Sequence, residues 1–213
     1  GKSRTVQLVA AIAVTAVVLV GGAFLMLSQR EPPVASQPAT RPVPAEPLST
    51  DSTARELYKI AKIEQMRRTA PSLARAIGMY TQVLARDSVY APAWARLASS
   101  AQIAYIRAFE IPGISRDSLL RLAVAASGRA IELGPDNAGS WLAKGRVSSL
   151  VYPLDKAPAI FAIRKSLSID STDANAWFEL GLMEQESLHD SAAIDAWLHA
   201  ARLNPVDMQT LSF

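Results

Sequence analysis

The pattern of hydrophobic and polar positions divides the chain into three segments. From Val6 to Leu27 no charged residue interrupts a run of 22 residues in which only Gln7 and Thr15 are polar. At about 1.5 Å rise per residue such a run spans roughly 33 Å, enough for a hydrocarbon core of about 30 Å. It predicts a transmembrane helix over 6–27, after a short N-terminus of residues 1–5. From Ser28 to Thr50 periodicity disappears and Pro32, Pro33, Pro38, Pro42, Pro44 and Pro47 are spaced by Ala, Ser, Gln and Thr. Proline fixes φ and cannot donate a hydrogen bond, so residues 28–50 read as an extended, semi-rigid spacer. From Asp51 onward apolar residues recur at three and four, the spacing of amphipathic helices, with no sustained alternation and no Asn-Gly or Asp-Gly turn. The expected class is therefore all-α: one N-terminal membrane helix, a proline-rich linker, and a helical domain over 51–213.

Lys2 and Arg4 precede the apolar run, and Arg30 beyond it is offset by Glu31. The positive-inside rule then places the N-terminus in the cytoplasm and everything after Leu27 in the periplasm, a single pass through the inner membrane. A cleaved signal peptide is the rival reading, but its apolar region is normally about 7–15 residues, and Leu25-Met26-Leu27-Ser28-Gln29-Arg30 offers no small-x-small cleavage site. The chain starts at Gly1 rather than methionine, which points to trimming or to a longer parent. Ala11, Thr15, Val18 and Gly22 share one face of the predicted span. Small residues there would admit a second transmembrane helix, and their general abundance in membrane spans accounts for the same pattern.

Composition narrows the chemistry. Half of the 213 residues are hydrophobic and 19% charged, too apolar for a chain disordered throughout. There is no cysteine, which excludes disulfide scaffolds, thiolate metal sites and cysteine nucleophiles. The pI of 9.3 invites a nucleic-acid reading, yet after the three basic residues Lys2, Arg4 and Arg30 the rest of the chain holds 19 basic and 19 acidic groups. A neutral domain has no electrostatic footprint for phosphate, so no nucleic-acid partner is expected. The charge is polarised instead. Residues 51–75 carry six basic groups against three acidic, and residues 174–205 five acidic against Arg202 alone. A basic end facing anionic lipid and an acidic end facing a partner would use that polarity, and solvated helix faces would produce it too.

The helical stretches repeat one another. Arg86-Asp87-Ser88-Val89-Tyr90-Ala91-Pro92-Ala93-Trp94 parallels Leu133-Gly134-Pro135-Asp136-Asn137-Ala138-Gly139-Ser140-Trp141 and Ile169-Asp170-Ser171-Thr172-Asp173-Ala174-Asn175-Ala176-Trp177, with an echo at Leu203-Asn204-Pro205-Val206-Asp207-Met208. Each block reads as a helix end, a turn and a new helix whose first turn carries Trp. This resembles the tetratricopeptide repeat, a helix–turn–helix unit of about 34 residues. Trp94, Trp141 and Trp177 match its first-helix aromatic, and Ala98, Gly145 and Gly181 the small residue four later. Ala76, Ala123, Ala159 and Ala193 match the opening of the second helix. Tyr80, Ser127, Ile163 and Trp197 follow on it, then Val83, Ala130, Ser166 and Ala200. Ser88, Pro135, Ser171 and Pro205 match the closing turns, which lie 47, 36 and 34 residues apart. The resemblance implies an α-solenoid of about four helix pairs over 51–210. Tyr105–Asp117 lengthens the second unit, Leu154–Pro158 the third, and Met208, Leu211 and Phe213 suggest a truncated fifth unit or a partner-covered segment.

No catalytic constellation accompanies the repeats. His189 and His199 are ten apart, a spacing that does not put two ligands on one helix face. Glu184, Glu186 and Asp190 lack a nucleophile and read as a solvated helix end. No phosphate-cradling glycine loop, zinc-protease or nucleophile-elbow motif occurs. A non-catalytic chain without cofactor or metal is expected, and the tryptophans are read as packing residues rather than a ligand cage.

What remains is surface. In the resembled family the first helices line a concave groove for a segment of another protein. Carried over, the groove is Ala95, Ser99 and Gln102 in the second unit, Leu142, Arg146 and Ser149 in the third, and Phe178, Leu182 and Gln185 in the fourth. The Lys/Asn/Arg clamp by which some relatives hold a C-terminal carboxylate is not matched. The insert offers a second apolar contact surface at Ile106, Phe109, Ile111 and Ile114, unless these tuck against the solenoid. The leading expectation is a membrane-anchored adaptor that contacts lipid through its N-terminal helix and grips a protein partner in or beside a membrane complex. The first unit also looks like repeat regions that follow a single span in bacterial membrane-bound kinases and winged-helix regulators. That makes the sensory, extracytoplasmic part of such a protein the alternative.

Overall fold

The computed structural model describes residues 47–204. The predicted transmembrane segment, with Ala11, Thr15, Val18 and Gly22, lies outside them, as do most of the linker and Pro205 to Phe213. Among the described residues no helix is long and apolar enough to cross a membrane. They form eight α-helices: α1 Ser52–Arg67, α2 Ala70–Arg86, α3 Ala91–Ile106, α4 Arg116–Leu133, α5 Ala138–Val151, α6 Ala157–Ile169, α7 Ala174–Glu186 and α8 Asp190–Leu203. The only β-structure described is one isolated bridge, Ile111 to Ile114.

Local chemistry sets the helix boundaries. Asp51 accepts from Ala54 N at 2.7 Å, Ser115 from Ser118 N at 3.2 Å and Asn137 from Ser140 N at 3.0 Å. Each satisfies a backbone donor that the first helical turn leaves open. Thr69 and Ser72 bond reciprocally in a capping box ahead of α2. Pro71, Pro92 and Pro158 occupy first turns, where a missing N–H costs nothing. α1 stops at Arg68, which turns into the left-handed region at φ 52°.

Two second helices begin earlier than the repeat pattern predicts. Ala159 and Ala193 lie in the first turn of α6 and α8, but Ala76 and Ala123 lie well inside α2 and α4. The caps Thr69 and Ser115 start those helices more than a turn sooner.

The helices pack as consecutive pairs, α1 with α2, α3 with α4, α5 with α6 and α7 with α8, and each second helix also packs on the first helix of the next pair. The core has two parts. One runs from Ala54 on α1 to Val147 on α5, and the other from Leu142 on α5 to Ala196 on α8. α5 faces both and joins them. Side-chain bonds tie the first pair to the second: Tyr80 donates its hydroxyl to Gln65 Oε1 at 3.0 Å, and Gln65 Nε2 donates to Arg96 O at 3.4 Å. Tyr58 packs against Tyr80 and Tyr90, with ring centroids 5.8 and 5.1 Å apart.

The small residues act as spacers. A Cβ on Gly145 would come within 2.5 Å of Ile163 on α6, and one on Gly181 within 2.2 Å of the Trp197 indole on α8. Only hydrogen at these positions lets the paired helices sit this close.

Candidate concave interaction site

A hollow of about 570 Å³ opens where α3 and α5 meet the turns before α5 and α7. α3 contributes Pro92, Ala95, Arg96 and Ser99, and α5 contributes Ala138, Leu142 and Arg146. The turns contribute Asp136, Asn137, Asp170 and Asp173, and Pro47 reaches it from the start of the described chain. The repeat brings these residues together because α3 and α5 are the first helices of successive units and the turns before α5 and α7 close those units.

Four of the nine residues expected in the groove line this hollow: Ala95, Ser99, Leu142 and Arg146. Ala95, Ser99 and Leu142 are mostly buried in its floor. The Arg146 guanidinium is fixed by a 2.8 Å ion pair with Glu179 on α7. Gln102 is buried further along α3, and Ser149, Phe178, Leu182 and Gln185 lie outside the hollow, half-buried except for exposed Gln185. The rim was not legible from the transferred positions, because its polar groups come from turns. Asn137 and Asp173 are there as helix caps, and Asp170 holds its turn through the Thr172 amide at 2.9 Å.

The insert is folded inward. Ile111 is buried, and Phe109 and Ile114 pack against the first core, leaving only Ile106 exposed. Phe109 N bonds to Ala104 O at 3.0 Å and Ile114 N to Ile111 O at 3.0 Å, while Gly113 takes φ 76° to close the turn.

The acidic helix end also differs from a solvated one. Glu184 is buried, with Oε1 2.6 Å from Arg164 Nη2 on α6 and Oε2 2.9 Å from His189 Nδ1, and Glu186 pairs with Lys156 at 2.7 Å. The partners that make burial of Glu184 tolerable come from another helix and a turn. His199 stacks on Trp177 at 4.4 Å between ring centroids. Among the described residues no group of three or more His, Asp or Glu could hold a metal ion.

No protein-family model matches the chain, and no curated protein matches its sequence. Solved structures do. TTC0263, a thermophilic TPR protein in Thermus thermophilus, superposes with a TM-score of 0.60 at 18% identity, over 73% of this chain and 76% of that one. The fold is that of tetratricopeptide repeats. MamA also matches, at TM-score 0.49 and 20% identity over 73% of this chain and 81% of its own. YrrB, described as a TPR protein with an unusual peptide-binding site, matches at TM-score 0.40 and 18% identity over 74% and 90%. In this fold, α3 and α5, which line the hollow, are the first helices of the second and third units.

Proposed function

We propose that the chain is a non-catalytic interaction module whose concave face holds an extended segment of a protein partner, and that Val6–Leu27 keeps it beside a membrane complex. The hollow between α3, α5 and the start of α7 carries this reading. Its floor of Pro92, Ala95, Ala138 and Leu142 offers apolar area, and its rim of Asn137, Asn175, Asp136, Asp170 and Asp173 offers polar groups. That combination suits a peptide in extended form, whose backbone needs polar partners at regular intervals while alternate side chains seek apolar cover. In this reading the repeat domain is periplasmic, and the proline-rich linker sets its distance from the inner membrane.

The test has two arms. Alkaline extraction and protease protection of membranes holding the full chain should place it in the membrane pellet with its repeat domain on the periplasmic side. Recovery in the soluble fraction removes the anchor. A photo-crosslinker at Asn175, on the exposed rim, should trap one partner, and Asp136→Lys with Asn175→Lys should abolish its co-purification from detergent-solubilised membranes. Undiminished co-purification removes the groove from the function.

A further inference from the structure

Pro47, the last proline of the linker, lines the 570 Å³ hollow together with Pro92 and Ala95 of α3, although it stands five residues ahead of α1. Its place there is fixed by the residues that follow it. Ser49 is buried and donates its hydroxyl to Asp87 Oδ2, in the turn before α3, at 2.6 Å. Arg55 Nη1 donates to the carbonyls of Ser49 at 2.6 Å and Thr50 at 3.1 Å. Consecutive Cα atoms are about 3.8 Å apart, so Glu46 and the residues before it begin at the hollow.

Those residues are Pro42-Val43-Pro44-Ala45-Glu46. With Pro47 they make three prolines in six, which preset the polyproline conformation. Advancing about 3.1 Å per residue, 42–47 covers about 15–19 Å. The hollow runs from α3 across α5 to the first turn of α7, two interaxial steps of about 8–10 Å each. The hydrogen-bonding groups match as well. Proline has no N–H, so residues 42–47 present six carbonyl acceptors against three amide donors. Among the lining residues the carboxylates of Asp170 and Asp173 accept from their own turns, from Thr172 N at 2.9 Å and Asn175 N at 2.8 Å. Asn137 gives its Oδ1 to Ser140 N and Arg146 gives its Nε to Glu179, which leaves the amide of the one and the Nη groups of the other as donors.

We infer that Pro42–Glu46 occupies the hollow in polyproline form and that a partner segment must displace it. The inference rests on the hollow being the peptide-holding face proposed above. Attachment at Pro47 gives the segment an effective concentration of about 1 mM. A dissociation constant of about 0.1 mM then fills the hollow in about nine molecules of ten and weakens a competing segment about tenfold. The linker is therefore both spacer and plug.

The chain has no cysteine, so Val43→Cys with Asn175→Cys places two spin labels without further change. Asn175 is exposed and Val43 lies nine residues ahead of α1, so the labelled chain should keep the wild-type circular dichroism. Distances between the labels in the full chain in mild detergent should form one short, narrow distribution, and adding Pro42→Gly with Pro44→Gly should lengthen and broaden it. A fluorescein-labelled peptide of residues 41–48 should bind the Pro42→Gly, Pro44→Gly chain about tenfold more tightly than the chain with its own prolines, and an excess of it should broaden the distribution of the latter. A distribution that is broad with the prolines in place overturns the inference, as does equal affinity of the peptide for the two chains. The groove reading is decided separately. A partner trapped at Asn175 alongside a broad distribution removes the plug alone, whereas co-purification undiminished by the rim lysines removes the groove reading and the displacement with it.

Discussion

The indole Nε1 of Trp94 donates to the carbonyl of Ser88 at 2.8 Å, six residues earlier in the turn that leads into its helix. Trp141 makes the same bond to Pro135 O at 2.6 Å, and Trp177 to Ser171 O at 2.9 Å. Each ring thus locks its helix to the turn before it. The bond uses only a carbonyl from the turn, so Pro135 serves as well as serine. It also explains why these blocks keep one internal spacing although the turns themselves lie 47, 36 and 34 residues apart. The added length falls elsewhere, where no such bond constrains it.

Trp141→Phe keeps an aromatic ring on α5 and removes the donor to Pro135. The site is half exposed, so the expected loss is about 0.5–1 kcal/mol in urea unfolding, the lower half of what a hydrogen bond contributes. A variant as stable as the wild type would show that the bond to the turn contributes nothing.

Glycine substitutions should separate the spacer positions from the rest. Gly181→Ala forces the Trp197 indole off α7 and should cost about 1–3 kcal/mol, as overpacking does. Gly78→Ala on α2 meets nothing within 4 Å and should leave stability unchanged or raise it by about 0.5–1 kcal/mol, because alanine gives up less freedom on entering a helix. Thermal melts should fall for Gly181→Ala and should not fall for Gly78→Ala.

What could be read in advance follows from where the determining partner lies. Trp94, Trp141 and Trp177, with Ala98, Gly145 and Gly181, reveal the repeat because each acts within a few residues or at a fixed repeat distance. The early starts of α2 and α4 were not legible from Ala76 and Ala123, since Thr69 and Ser115 decide them locally by capping. Burial of Glu184 could not be inferred from its acidic surroundings, because it depends on Arg164 twenty residues away on another helix. The lining of the hollow was legible only in part. Its floor at Ala95, Ser99 and Leu142 follows from helix register, while its rim at Asp136 and Asp170 depends on how the turns of successive units line up.

The Arg164–Glu184 pair should show strong non-additivity. Arg164→Ala leaves a buried carboxylate with His189 as its remaining side-chain partner, and about 1–3 kcal/mol of destabilisation is expected, limited by the exposure of Arg164 itself. Adding Glu184→Leu to Arg164→Ala removes the charge that the first change stranded, so the double variant should be more stable than Arg164→Ala. If the two losses simply add, the carboxylate was not relying on the arginine.

The Gln65 amide supplies the last prediction, because it joins three helices at the end of the solenoid. It accepts from the Tyr80 hydroxyl on α2 and donates to Arg96 O on α3, in a region where both Gln65 and Tyr80 are buried. α1 has no preceding unit among the described residues and is held by contacts from one side. Gln65→Met keeps the length of the side chain but removes both bonds, and about 1–2 kcal/mol should be lost. That loss should be local. Amide exchange should accelerate across 52–67 while 174–203 exchange as in the wild type, since repeat units couple only to their neighbours and an end unit can open alone. Uniform acceleration in both segments would mean that the whole solenoid unfolds as one cooperative unit, and that Gln65 stabilises more than the first pair.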